Sequence, residues 1–261
     1  MKEVNLEKKG KTAYVTINRP EHKNAINFEV RKGLCEIWRE IENDSSIWSV
    51  IVTGGEKVFS VGIDILEIKN FREKYPLDNV PVVPLPLNTP GTAGRDVSKP
   101  IIAAISGYCL GWGLLFAIDG ADIRIASDTA EFGMPELKRG IIPSLGFQPK
   151  LAKFFPPGIA MELLITGKNI SAEVAFRFGL VNKIVPVKDL MSAAQEYADT
   201  INELSPYLVA KVKEIFRKVT ASDCAKVSYS DAVASEGRFH PDFLEGIRAF
   251  AEKRKPQWKK L

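Results

Sequence analysis

The chain is predicted to be an α/β protein with a helical C-terminal region, on three observations. Short continuous apolar runs (Val50-Ile51-Val52, Ile101 to Ile105, Ile123 to Ala126) have the length and branching of strands covered on both faces. Helical periodicity occupies the intervals between them, as alternating strand–helix architectures require. From Gly158 onward that periodicity dominates. The division expected is a core over residues 1–200 and a helical region over 201–261.

Thr12 to Asn18 (TAYVTIN) alternates and is β-branched, which predicts a strand. The residues before it are already strand-like and contain no apolar leader, so no secretory signal is expected and a cytoplasmic location is. Asn27 to Asn43 places Phe28, Leu34, Ile37, Trp38 and Ile41 near helical spacing. Thr53-Gly54-Gly55 ends the strand at Val50. After a brief strand at Ile184-Val185, four amphipathic helices are expected: Asp189–Leu204, Pro206–Val219, Ser222–Arg238 and Asp242–Lys253. Phe71 to Lys99 is different. It carries five prolines with apolar residues between them, and a loop of that length in a compact domain predicts a lid or a pocket wall.

Composition removes several function classes. With 45% hydrophobic and 26% charged residues in 261, the chain is an ordinary globular one, and no apolar run approaches the length of about 18 needed to span a bilayer. Three scattered cysteines make neither a disulfide framework nor a thiolate metal site. Two histidines, His22 and His240, leave little material for a histidine metal centre or a Ser-His-Asp relay. The net charge of +4 is spread among interspersed Lys and Glu, the pattern of a solvated surface. Only the end is basic, at Lys253-Arg254-Lys255 and Lys259-Lys260, with no interleaved aromatics to favour nucleic acid.

Three segments carry candidate chemistry. Lys57 to Asp64 and Ser106 to Gly113 are glycine-containing turns after apolar strands, and an apolar helix begins directly after the second. Such turns free backbone N–H groups and allow close approach of a ligand; two converging amides would receive a developing negative oxygen. Taken singly, each turn reads first as ordinary chain reversal. The third segment is Phe132 to Pro143, where Glu136 follows a proline among Met134, Leu137, Ile141 and Ile142. A carboxylate in apolar surroundings can have its pKa raised toward neutrality, as a general acid or base requires; a surface or helix-capping glutamate is the other reading.

The segments Asn18-Arg19-Pro20 with Asn24-Ala25-Ile26, Val52 to Gly55, Phe59 to Asp64, Lys99 to Ile105 with Ser106 to Gly111, Ala121 to Ser127, Phe132 to Gly140, Ile165-Thr166-Gly167, Gly179-Leu180-Val181 and Glu245 to Pro256 follow one another in a familiar order. Together they resemble the crotonase (enoyl-CoA hydratase/isomerase) superfamily over nearly the whole chain. The resemblance implies a crotonase-type spiral of ββα units and a helical C-terminal trimerisation region, giving a homotrimer or homohexamer. It implies an acyl-CoA thioester substrate and no cofactor beyond the CoA moiety. It places the thioester oxygen on the amides of Ile63 and Trp112, with Gly113 as the alternative to Trp112, and makes Glu136 the acid/base. It lays the CoA along Lys23, Asn24, Ala25, Ser60, Val61, Gly62, Asp64 and Ile65, and matches Phe250 and Lys253 to positions that reach a neighbour's CoA.

One departure bears on mechanism. Family hydratases carry a second glutamate on the helix after the glycine turn; here that position holds Leu115 or Phe116, depending on which end the spacing is counted from. Asp119 is one helical turn beyond Leu115, and a structural role is the first expectation for it. A single glutamate suits moving a proton between C2 and C4 of an enolate, so double-bond isomerisation is the expected activity, with hydration as the alternative. A catalytically silent or RNA-binding relative is the alternative of another class.

Overall fold

The structure, a computed structural model, describes residues 3–74, 94, 96–144, 146–220 and 224–258. Most of the proline-rich segment predicted as a lid or wall lies outside the described residues. Its first residues, Phe71–Lys74, are the end of a helix.

In chain order the elements are β1 (Val4–Lys9), β2 (Thr12–Ile17), α1 (Phe28–Asn43), β3 (Ser49–Thr53), β4 (Val58–Ser60), α2 (Ile65–Lys74), β5 (Ile101–Ile105), β6 (Tyr108–Leu110), α3 (Trp112–Asp119), β7 (Ile123–Ser127) and β8 (Glu131–Gly133). A 3-10 turn over Pro135–Arg139 follows. Then come α4 (Phe147–Leu151), α5 (Pro157–Thr166), β9 (Ile170–Ser171), α6 (Ala172–Arg177), β10 (Lys183–Val185), α7 (Leu190–Asn202), α8 (Pro206–Val219), α9 (Cys224–Gly237) and α10 (Pro241–Ala251). They form two compact units interleaved in sequence. The first comprises Met1–Gly62, Thr89–Phe132 and Ile170–Ala221; the second comprises Ile63–Asn88, Gly133–Asn169 and Ser222–Leu261.

The first unit is built on a six-stranded sheet in the order β1-β2-β3-β5-β7-β10. Only the β1–β2 hairpin is antiparallel; the other neighbours run parallel. The continuous apolar runs are the central strands β3, β5 and β7, as residues without a solvated face should be. On one face Ile51, Ile102, Ala104 and Ile125 receive Leu190, Ala193, Ala194 and Ala198 of α7, whose small residues let the helix lie close to the sheet. A second sheet, β4-β6-β8-β9, is made of strands of two or three residues. Sequence periodicity missed it because so short a strand completes no alternation; two of these strands lie inside the segments read above as glycine turns.

At the end of the large sheet Asp122 acts structurally. Its Oδ2 accepts from the Ile101 N–H at 2.8 Å and pairs with Lys213 at 2.7 Å, while Oδ1 pairs with Arg217 at 3.0 Å. These bonds hold the inner face of α8. The outer face of α8 leaves Tyr207, Leu208, Val212, Ile215, Phe216 and Val219 exposed in the chain.

In the second unit, Ile68 of α2 and Phe243 and Ile247 of α10 form a buried apolar cluster, joined by Ile63, Ile65, Ile141 and Leu244. No helix among the described residues is long and apolar enough to cross a membrane.

Candidate active site

Two turns meet in the first unit because β4 and β6 are parallel neighbours, pairing Val58 with Tyr108 and Ser60 with Cys109. Parallel pairing brings the residues that leave each strand to the same end: Val61-Gly62 from β4 and Gly111-Trp112 from β6. The approach is too close for a side chain. Gly62 sits at φ +92°, and a Cβ there would lie 2.8 Å from the Leu110 carbonyl oxygen and 2.9 Å from the Trp112 nitrogen. Gly113 is similarly tight, with a Cβ position 2.7 Å from the Ser60 carbonyl oxygen.

Helix α3 begins at this junction. Its first intrahelical-type bond runs from the Leu115 N–H to the Gly111 carbonyl at 3.0 Å, so the amides of Trp112, Gly113 and Leu114 precede the helical ladder and have no carbonyl within it. The helix dipole adds positive potential at the same end. From Gly113 to Ile118 the helix is apolar and buried all round: Leu115 and Phe116 are both buried, and the Phe116 ring lies against those of Trp38 and Phe59. Both positions considered for a second acid therefore hold core hydrocarbon. Asp119 is the last residue of α3.

The loop before α1 lies beside the β4 turn. Lys23 and Asn24 adopt left-handed backbone, at φ +51° and +54°. Asn24 is fully buried, and its side chain explains how the conformation is held. Its Nδ2 donates to the carbonyls of Gly54 and Val58, each at 2.8 Å, and its Oδ1 accepts from the Arg19 N–H at 2.8 Å. The Val61 N–H donates to the Lys23 carbonyl at 3.2 Å, and Arg19 Nη1 donates to the Ala25 carbonyl at 2.6 Å. Lys23, Asn24, Ala25, Ser60, Val61, Gly62, Trp112 and Gly113 are thus neighbours in one unit.

The second unit holds the remaining candidates. Ile63 and Ile65 join its apolar cluster, and Asp64 caps α2 by accepting from the Leu66 and Glu67 N–H groups. Glu136 lies in the 3-10 turn. As a residue it is partly exposed, yet its carboxyl end is enclosed: Oε2 is buried and has no hydrogen-bond partner among the described residues. That desolvation pushes the carboxyl up to about 7, a smaller opposing effect coming from the hydrogen bond with its own backbone N–H.

The turn is clamped from two sides. Gly140, at φ +69°, lies so close to α10 that a Cβ would fall 2.2 Å from the Asp242 carbonyl oxygen. Gly246 of α10 is as close to the Arg139 carbonyl oxygen, and Lys138 Nζ donates to the Gly167 carbonyl at 2.6 Å. Phe250 lies under the Arg139 guanidinium, 4.4 Å from carbon to ring centre, and Lys253 follows at φ +55° just past α10. Sequence reasoning missed Arg139, Gly246 and the clamp made by Asn24. Gly246 was visible as a letter, but only the packing shows what occupies the space it leaves.

The described residues also line two open clefts, of about 440 and 280 Å³, both in the first unit. Asp96 to Ser98 with α8 line the first, and Cys35, Trp38 and Glu42 with Val97 line the second; neither includes the residues of the two turns.

The first unit thus carries the paired glycine turns on a parallel-sheet α/β frame, and the second carries a desolvated carboxyl. The comparisons name the family. The Enoyl-CoA hydratase/isomerase family matches residues 7–260. The chain is 38% identical to a short-chain-enoyl-CoA hydratase of Clostridium acetobutylicum, over 96% of this chain and 95% of that one. It is 35% identical to a carnitinyl-CoA dehydratase of Proteus mirabilis, over 98% of both. Among solved structures, EchA1_1 of Mycobacterium paratuberculosis superposes with a TM-score of 0.85 at 32% identity, and a carnitinyl-CoA dehydratase of Mycobacterium avium with 0.84 at 30%, each covering 99% of both chains. The chain belongs to the enoyl-CoA hydratase/isomerase family and is a crotonase-superfamily enzyme with the crotonase fold.

Proposed function

We propose that the chain is an enoyl-CoA isomerase working through a thioester enolate with one acid/base. In this reading the N–H groups of Ile63 and Trp112 receive the thioester oxygen. Glu136 removes a proton from C2 of a 3-enoyl thioester, the electrons spread to the oxygen and to C4, and the same carboxyl returns the proton at C4 to leave a 2-enoyl thioester. The observation that carries it is the Glu136 carboxyl, buried, without a partner on Oε2 among the described residues and pushed up to about 7. Such a group is divided between its acid and base forms at neutral pH, as taking and returning one proton requires.

The apolar, buried Leu115 and Phe116 support one proton carrier over two. Trp112 is taken as the second amide, with Gly113 as the alternative, because its nitrogen lies beside Gly62, where a Cβ would come within 2.9 Å of it. CoA is assigned to the runs Lys23 to Ala25 and Ser60 to Ile65, in which the fully buried Asn24 and Ser60 support the run without touching the ligand, and Phe250 and Lys253 are assigned to a neighbour's CoA, with no other cofactor. The exposed apolar face of α8 supports a homotrimer or homohexamer, which sedimentation of the purified chain tests.

A second reading is hydration of 2-enoyl-CoA with Glu136 and a non-standard second group. It is favoured by the hydratase and dehydratase names of the relatives above. Turnover of a matched panel of 3-enoyl and 2-enoyl thioesters separates the two. Isomerisation predicts shift of the 3-enoyl double bond without net water uptake; rapid 3-hydroxyacyl formation from 2-enoyl thioesters favours the second. A fully active Glu136→Gln variant defeats both.

A further inference from the structure

The Ile63 N–H belongs to the peptide unit joining Gly62 to Ile63. A peptide unit is planar, with its C=O and N–H directed oppositely, so whatever holds the Gly62 carbonyl also aims the Ile63 N–H. The Ile26 N–H donates to that carbonyl at 2.8 Å. Gly62 itself is at φ +92°, where glycine's freedom makes the backbone the least self-restrained in the turn. Its own N–H is held from the other side, donating to Ser60 Oγ at 3.1 Å, while the Ser60 hydroxyl donates to the Asn24 carbonyl at 2.8 Å. Gly62 is therefore fixed through both flanking peptide units, and one of the two anchors is a side chain.

Ser60 is fully buried, with its single proton given to Asn24 and a lone pair taken by Gly62. Its proton is spent inside the turn and its surface is covered, so the hydroxyl acts on the turn and not on a ligand. Asn24 is in turn immobilised by the three side-chain bonds described above. The chain of restraint runs from the Asn24 side chain through its carbonyl to the Ser60 hydroxyl, then to the Gly62 N–H and the next peptide unit.

We propose that Ser60 is a positioning residue of the oxyanion hole: its hydroxyl, seated on the left-handed Asn24, locks Gly62 and so aims the Ile63 N–H at the thioester oxygen. This rests on the reading of Ile63 as an oxyanion donor. Removing the hydroxyl leaves the donor present but loosely aimed. The loss of kcat should be about 10- to 100-fold, less than the 10²–10³ typical of losing a donor outright.

The test compares wild type, Ser60→Ala, Ser60→Cys and, as a control for loss of a buried hydroxyl elsewhere in the first unit, Ser49→Ala. Three quantities are measured: kcat on 3-enoyl and 2-enoyl thioesters, Kd for CoA, and the infrared carbonyl stretch of bound butyryl-CoA carrying ¹³C at C1. Bound to wild type, the carbonyl is expected at lower frequency than in water. Ser60→Ala should return it part of the way and lower kcat with Kd for CoA unchanged; Ser60→Cys should fall between, and Ser49→Ala should leave the stretch alone. A Ser60→Ala protein that folds and keeps both the full carbonyl shift and the full kcat overturns the positioning role while the oxyanion reading stands. An unshifted carbonyl in active wild type overturns the oxyanion reading and this inference with it. Should Ser60→Ala fail to fold, Ser60→Cys carries the same comparison, and an unchanged carbonyl and kcat there likewise refute the role.

Discussion

Replacing Glu136 with glutamine should destroy activity while making the protein's stability less dependent on pH. The folded carboxyl is pushed from 4.5 up to about 7 by burial. A raised folded value means the folded state binds the proton more tightly than the unfolded chain. The resulting stabilisation is complete below pH 4.5 and is lost as pH rises through about 7. At 1.36 kcal/mol per pH unit, the loss between pH 5 and 8 is about 2–3 kcal/mol. Glutamine carries no charge to desolvate, so its variant lacks that loss. Its amide would still be buried beside no partner, a constant cost of about 1–3 kcal/mol that blurs the absolute comparison but not its pH dependence. The measurement is urea unfolding of both proteins at pH 5 and pH 8, at fixed protomer concentration because assembly shifts apparent stability. Stability of the variant relative to wild type should rise by about 2–3 kcal/mol between the two pH values. A difference that stays constant within about 0.5 kcal/mol would mean that the carboxyl is not desolvated in the folded protein, and the argument for a neutral-range acid/base would go with it.

Gly62→Ala should cost several kcal/mol or leave a folded but nearly inactive protein, because its Cβ would meet the Leu110 carbonyl and the Trp112 nitrogen at φ +92°; thermal melting and turnover together report it. Asn24→Ala should destabilise by about 2–4 kcal/mol, since it strips buried partners from Gly54, Val58 and Arg19 and puts alanine at a left-handed position, and denaturant melts check this. Lys213, nearly buried, is lowered from 10.5 to about 8, chiefly by burial and against the pull of Asp122. For a lowered folded value, the stabilisation is complete above pH 10.5 and is lost as pH falls through about 8. Wild-type stability relative to Lys213→Met should therefore rise, by up to about 3 kcal/mol, between pH 8 and 10.5; pH-dependent melts in which wild type gains nothing on the variant over that range refute it.

How much was legible in the sequence follows from the length scale of each signal. Runs such as Ile101 to Ile105, and helices such as Pro206–Val219, reproduce their expected bounds because burial and periodicity act over five residues or more. The second sheet escaped because Val58–Ser60 and Tyr108–Leu110 are three residues each, chosen by their partners and not by local pattern. Glu136 stood out from its apolar neighbours, and its carboxyl is indeed desolvated. The reach of Ser60 to Asn24 across 36 positions, and of Arg139 to Phe250, left no trace because each is a contact that only the folded chain makes.

The clamp on the Glu136 turn has a temporal consequence. Gly140 and Arg139 rest on Asp242 and Gly246, so the turn that carries Glu136 is clamped only after α10, far downstream of it, has been made. Domains fold largely in order of synthesis, and most strands of the six-stranded sheet have been made long before α10 exists. A nascent chain that has not yet reached α10, or one clipped before it, would hold a formed sheet and an unclamped Glu136 turn.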